Sequence, residues 1–454
     1  MTLVMCFLLS LMMGLFTAGI RLGREEYAGV QAAVAADTAM YSLFAGYDKD
    51  LLETYDLFFL DGGYGKGSIE IGAMLDRMDR PVQTVLQEGL PGCEDAVCGI
   101  SGYRLATQQE GAAFGRQAAE AVKRFTGPAL LRNMEARLHI WEKMEKEQKK
   151  TVEQGPPPME YKEETPDPGS YTKEDNPVET LKMLRGLGIL DLVLPKDQGV
   201  SEKEADVTDF LSNRTLQTGL GNAGSTNGKE GSKWLLQLYI TEKMSSFTDR
   251  VGGKPLDYEV EYILNGENKD EDNLKKTVYK LLLLREASNL GFLYTSQVKR
   301  TEIHSMAITL GTIFLMPELI PVLEGVLMTG WAYVESLSDV RILLAGGRVS
   351  LKKAETDWHS DLRNLTGIFT GDSGNSGSGR GLDYKEYLTI LLGFCQRKTL
   401  TFRCMDLIEQ NIRLRPGKEK FQMDSCIECV DAEIVFTSPA GKSWTAARTY
   451  SYDM

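Results

Sequence analysis

MTLVMCFLLSLMMGLFTAGI, residues 1–20, holds no charged side chain, and RLGREE follows it at once. A helix of this length spans about 30 Å, the thickness of a bilayer's hydrocarbon core. A soluble core helix so long carries a polar face, and none is present here. A cleaved secretory signal has a basic leader, a shorter apolar run and a small-residue cut site. No basic residue precedes this run and no clear cut site follows it. The segment therefore reads as a retained transmembrane anchor, ahead of a cleaved signal or a core helix. Arg21 and Arg24 lie just after it, which by the positive-inside rule favours a cytoplasmic body. Glu25 and Glu26 partly offset that bias. A Met set directly at the apolar run also fits a coding start placed after a basic leader.

Beyond the anchor, EEYAGVQAAVAADTAMYSLFAG (25–46) reads as helix. Tyr27, Val30, Val34 and Tyr41 fall near one face, while Ala28, Ala32, Ala35, Ala36 and Ala39 keep the cylinder narrow. The membrane helix is thus expected to continue as a stalk, with residues 21–60 holding the stalk helix and a following helix. The alanines are its candidate helix-packing interface, toward a partner or inside its own domain.

The chain has 454 residues, enough for two or three domains. Its composition, 42% hydrophobic and 25% charged, is that of a globular protein. A net charge of −13 argues against nucleic-acid binding, which needs clustered Lys and Arg.

Residues 61–145 are expected to be mixed α/β: a Gly-rich turn follows Leu60, VCGISGYRLA has strand character and EGAAFGRQAAEAVKRF is helical. Residues 129–150 read as a charged helix. Residues 146–177 read as an exposed linker, because six of the chain's 15 prolines fall between 156 and 177. Residues 178–454 read as a helix-rich body ending in strands. Within it LDYEVEYIL (256–264) alternates like a half-buried strand, and a helix opened by acidic DED runs from 270. The apolar stretch 301–345 carries Pro317, Glu318, Pro321 and Glu324 at its middle, so a buried helix pair is expected there. DYKE (383–386) is a capping box, a helix follows at 399–414, and CIECVDAEIVF and SWTAARTYSY close the chain as two strands. The expected fold class is helix-dominated α+β, from an amino-terminal transmembrane helix to a carboxy-terminal β-hairpin.

Chemistry is sparse. GDSGN (371–375) resembles a serine-protease neighbourhood but lies in a Gly/Ser tract without a partnering His and Asp. AGSTNGKE (223–230) and FTSPAGKS (436–443) depart from phosphate-loop requirements. NKDEDN (268–273) lacks the glycine a Ca²⁺ loop needs, and reads as a helix start. His139, His304 and His359 stand on helical stretches without a motif. Cys6 lies in the anchor, where only another chain offers a partner. Cys93 and Cys98 bracket a short turn and form the candidate disulfide. Cys426 and Cys429 lie three apart on a strand, facing opposite sides, with no second CxxC and no nearby His. No catalytic residue, metal site or cofactor is expected.

MYSLFAGYDKDLLETYDLFFLDGGYG (40–65), LDYEVEYILNGENKDEDNLKKTVYKLLLLREASN (256–289) and WAYVESLSDVRILLAGGRVSLKK (331–353) are similar to an uncharacterised family, a domain of unknown function in anaerobic Gram-positive bacteria. The resemblance implies one amino-terminal membrane segment and a large extracytoplasmic body. It also implies company with tight-adherence (Tad) pilus genes, whose TadE- and TadG-like minor pilins have a similar layout. The chain departs from the pilin pattern in lacking both a basic leader and a Glu near the start of the apolar run. The expected protein is a single-pass structural or assembly protein of the cell membrane, not an enzyme. Its expected partners are the membrane and, through the stalk, pilin-like proteins or itself. The alternatives are a membrane-tethered hydrolase or a ligand-binding module.

Overall fold

The computed structural model describes residues 2–87, 93–127, 177–195, 198–221, 231–367, 381–438 and 441–452, with single positions 131, 143, 146, 150, 153 and 223. The expected 129–150 helix, the 146–177 linker, His139, and most of the 221–232 and 371–381 loops therefore lie outside the described residues.

In chain order the elements are α1 (Thr2–Phe44), α2 (Lys49–Tyr55), β1 (Leu60–Asp61), α3 (Ile71–Gln87), β2 (Asp95–Leu105) and α4 (Gln108–Phe125). Then come α5 (Pro177–Gly186), α6 (Ile189–Val193), α7 (Lys233–Lys243), α8 (Glu259–Asn265), α9 (Asp270–Thr295), α10 (Gln297–Ile313) and α11 (Ile320–Leu344). The chain closes with α12 (Tyr384–Gly393), α13 (Arg397–Arg413), β3 (Cys426–Thr437) and β4 (Ser443–Ser451). The fold is helix-dominated α+β, as expected.

Two units divide the chain. The first takes Met1–Val122, Asp209–Leu236 and Cys404–Met454; the second takes Lys123–Thr208 and Gln237–Arg403.

In the first unit β3 is the central strand. It pairs antiparallel with β2 (Ala96 opposite Phe436) and with β4 (Ile434 opposite Ala446), and β1 sets Leu60 against Ile427. The closing strands, read from sequence as part of the 178–454 body, thus belong to a sheet with β2. Local pattern identifies a strand but carries no record of its partner.

One face of this sheet is covered by α1 and α3. Ala32, Ala35, Ala36 and Ala39 of α1 are buried with Met40 and Leu43, against Met74, Met78 and Val82 of α3 and Val430, Ala432, Ile434 and Phe436 of β3. Alanines let the backbones approach closely, and the sheet's apolar side chains fill the space they leave. After β1, Asp61 accepts hydrogen bonds from the Gly63 and Gly65 amides at 3.0 and 2.7 Å and closes a tight turn. Gly65 has φ +79°, and a Cβ there would meet the Gly417 carbonyl oxygen at 2.7 Å.

The second unit is built on α9, α10 and α11, with α8 and α12 against α9. α12 begins with the expected capping box: the Glu386 amide donates to Asp383 and the Asp383 amide to Glu386, at 2.9 and 3.0 Å. Two expectations are corrected here. From Glu259 onward LDYEVEYIL is a helix, α8, and not a strand, and Glu259 through Leu264 are all buried. A helix buried all round shows no helical period, and its alternation came from two paired glutamates. The 301–345 helix pair, in turn, is buried only in part. Leu327 to Leu344 of α11 is largely enclosed, but Phe314, Leu315, Met316, Leu319, Val322 and Val326 at the α10–α11 turn are exposed.

Candidate functional site

α1 is the one helix among the described residues long and apolar enough to cross a membrane. Every side chain from Leu3 to Arg24 is exposed, so this half of α1 makes no core of its own. From Ala28 onward the same helix is a buried packing element. Ala32, Ala35, Ala36 and Ala39 pack against the chain's own α3 and sheet, and Ala28 is buried as well. Tyr27, Val30, Val34 and Tyr41 are 51–63% exposed, on the outward face.

Among the described residues, one carboxylate–histidine group could hold a metal ion: Glu335, Asp339 and His359, in the second unit. Glu335 and Asp339 lie one turn apart on α11 and are fully buried. Lys353 fills the space between them. Its ammonium donates to Glu335 Oε1 at 2.5 Å and to the Asp357 carbonyl at 2.7 Å, and lies 2.7 Å from Asp339 Oδ1 as an ion pair without hydrogen-bond geometry. Arg285 of α9 donates through Nε to Asp339 Oδ2 at 3.0 Å, and through Nη1 to Tyr387 Oη at 2.9 Å and the Ser350 carbonyl at 3.0 Å. Asn289 Nδ2 donates to Asp339 Oδ2 and Ser336 Oγ, both at 3.0 Å. Glu335 also accepts from the His359 and Ser360 amides, at 3.0 and 2.8 Å.

Two buried cations thus neutralise two buried carboxylates, and a metal would have to displace Lys353. Burial pushes the Glu335 carboxyl up, but hydrogen bonding from His359 and the Lys353 charge outweigh it and hold its pKa at about 2. The arrangement binds α9, α11 and the 350–360 segment together and presents no free acid–base pair. Sequence reasoning missed this centre. Its signal was two carboxylates at i and i+4 on a helix otherwise apolar on that face, which demands buried cations from elsewhere.

A second polar centre lies around α8. Glu259 accepts from the Ser245 amide and hydroxyl at 2.7 and 2.8 Å. Glu261 Oε1 accepts from the Phe247 amide at 2.9 Å and from the Tyr384 hydroxyl at 2.7 Å, whereas Oε2 is buried without a partner. Burial raises the Glu261 carboxyl to about 7. Asp270, first residue of α9, accepts from the Asp257 amide and the Ser201 hydroxyl at 2.8 and 2.7 Å. The acidic helix start is therefore also a loop clamp. A shallow cleft of about 500 Å³ opens beside the 245–250 turn, lined in part by Phe247, Thr248 and Arg250. Glu261 does not line it, and neither does a nucleophile–base pair.

Cys93 and Cys98 are partly buried beside the first unit's core and stand as separate thiols. Burial, with Asp79 beside it, raises the Cys98 thiol to about 11. Cys426 and Cys429 are buried on β3. His304 meets Glu324 across the α10–α11 pair.

A helix-dominated α+β chain in which one helix among the described residues, exposed at the amino-terminal end, is long and apolar enough to cross a membrane is compatible with a single-pass membrane-anchored protein. Residues 168–438 match a family described as Family of unknown function (DUF5702), and the chain belongs to that family. No curated protein and no solved structure matches it.

Proposed function

We propose that the chain is a single-pass membrane protein with an extracytoplasmic body, serving as a pilin-like structural or assembly component of a Tad-type pilus or secretion apparatus. The observation that carries the reading is the division of α1: an apolar half exposed on every side, and a half docked by alanines on an antiparallel sheet. The first half suits lipid, and the second fixes it to a folded body. The similarity of residues 40–65, 256–289 and 331–353 to Tad-associated proteins of anaerobic Gram-positive bacteria supports the same role. In this reading the chain does no chemistry, in keeping with an acid–histidine group neutralised by Lys353 and Arg285.

Two measurements test it. Val251 is about half exposed in the second unit, and a Val251→Cys variant is labelled in intact and in lysed cells with a membrane-impermeant maleimide. Labelling in intact cells is expected; labelling only after lysis overturns the extracytoplasmic body. Deleting the gene is expected to reduce sheared surface pili at least tenfold, and an unchanged yield overturns the pilus role.

A further inference from the structure

We propose that two copies of this chain pair in parallel through a heptad seam on the outward face of α1. The proposal rests on the anchored reading above and names a partner for the anchor helix: a second copy.

The seam is read from spacing and exposure together. Ile20, Tyr27, Val34 and Tyr41 recur every seven residues, and Val30 and Asp37 fall between them at the alternate 3–4 spacing. These are the a and d positions of a coiled coil, whose period of 3.5 keeps one stripe toward a partner helix. Ile20, Tyr27, Val30, Val34 and Tyr41 are each 47% exposed or more. The buried alanines take the b, c and f positions, so the body fills the opposite side of α1. β4 flanks only the seam's carboxy-terminal end, where Tyr450 packs edge-on against Tyr41 at 5.0 Å, and Ile20, Tyr27, Val30 and Val34 remain exposed. Asp37 is the one charged seam residue, and Arg448 Nε of its own chain holds it at 2.6 Å. A single polar seam residue sets register at some cost in stability.

Lipid does not cover this stripe. Arg21, Arg24, Glu25 and Glu26 mark the water interface just after Ile20, and Tyr27 to Tyr41 lie beyond it. The stripe is nevertheless continuous with the apolar segment. Two copies anchored in one membrane present α1 parallel and at equal depth, which sets each seam residue opposite itself. Carried back along the helix at the same period, the a position passes through Met13 to Cys6, which is exposed. In the pair the two Cys6 thiols face each other inside the bilayer.

That juxtaposition supplies the test. Membranes holding the full chain are treated with copper-phenanthroline in air, and dimer formation is followed on non-reducing gels. Each bridge joins two thiols into one disulfide, releasing two protons and passing two electrons to the copper–oxygen couple. A dimer band is expected that Cys6→Ser removes. Moving the thiol two residues along, in Cys6→Ser with Leu8→Cys, keeps its depth but turns it to position c, and cross-linking is expected to fall at least tenfold. Val30→Glu with Val34→Glu is expected to abolish the Cys6 band while leaving the circular dichroism spectrum unchanged, since both valines are exposed in the single chain. Equal cross-linking from positions 6 and 8, or none from either, in membranes that retain the chain through carbonate washing overturns the pairing alone. A chain that carbonate washes out overturns the anchored reading, and the parallel pair with it.

Discussion

At the residue scale the second unit depends on charges that solvent barely reaches. Lys353 lies between Glu335 and Asp339, hydrogen-bonded to the first and ion-paired with the second. Lys353→Met keeps the stem but leaves those carboxylates short of a cation, and is expected to destabilise the protein by about 3–5 kcal/mol in urea melts at pH 7. A loss under 1 kcal/mol would show that the carboxylates find other partners. Glu335 and Glu261 respond to pH in opposite senses. Glu335 is held below its ordinary 4.5, so its contribution is complete above that value and is lost as pH falls toward 2. Glu261 is held above 4.5, so stability falls as pH rises from 4.5 through about 7. Glu261→Gln mimics the protonated form, since its carboxamide oxygen can still accept from Phe247 and Tyr384. It is expected to stabilise by about 2–3 kcal/mol at pH 8.5 and by little at pH 4.5. A pH-independent effect would mean that Glu261 does not titrate in this range. Neither centre was legible in the sequence, because Glu335, Lys353 and His359 come from segments with no shared motif. Only the carboxylates' presence on apolar helices hinted that cations must come from elsewhere.

At the scale of elements, α1 shows what periodicity can and cannot decide. Sequence separates its alanine face from its Tyr/Val face, but not which face turns inward, since both are uncharged over much of their length. Packing chose the alanines, whose small side chains admit the sheet at close range. Ala36→Leu is therefore expected to cost about 1–3 kcal/mol through overpacking, and Val34→Leu to stay within about 0.5 kcal/mol. Thermal unfolding of the two variants checks this, and the reverse order would mean that the faces are exchanged. The α10–α11 turn gives a second case. Leu315 is 87% exposed and has φ +55°, a conformation that penalises any Cβ. Leu315→Gly is expected to be more stable than Leu315→Ala by about 1 kcal/mol, the inverse of their order in a helix interior. The usual order would remove the left-handed backbone as a source of strain. The strand-like pattern of α8 misled for a related reason. Alternation reports sidedness only when one side meets water, and both sides of α8 meet protein.

On the scale of the whole molecule the two ends of the chain form one unit, through β2–β3 pairing that no local pattern specifies. Helices, caps and the closing hairpin were legible because their determinants lie within a few residues of one another. The partition into units was not, since it depends on contacts between residues far apart in the chain. The exposed apolar half of α1 stands outside this cooperativity. Leu3 to Arg24 are exposed throughout, so removing residues 2–20 takes away apolar surface and leaves Ala28 to Leu43 seated on the sheet. Such a truncated chain is expected to unfold at the same urea midpoint as the detergent-solubilised full chain, and to remain soluble without detergent. It is also expected to be monomeric at micromolar concentration, because the remaining seam, Tyr27 to Tyr41, spans only about two heptads, and short helices pair weakly without a tether. In the anchored, paired reading, restoring the apolar segment supplies that tether by confining two copies to one plane. A large fall in midpoint on truncation would mean that residues 2–20 contribute to the fold itself, and would argue for a packed helix in place of a membrane anchor.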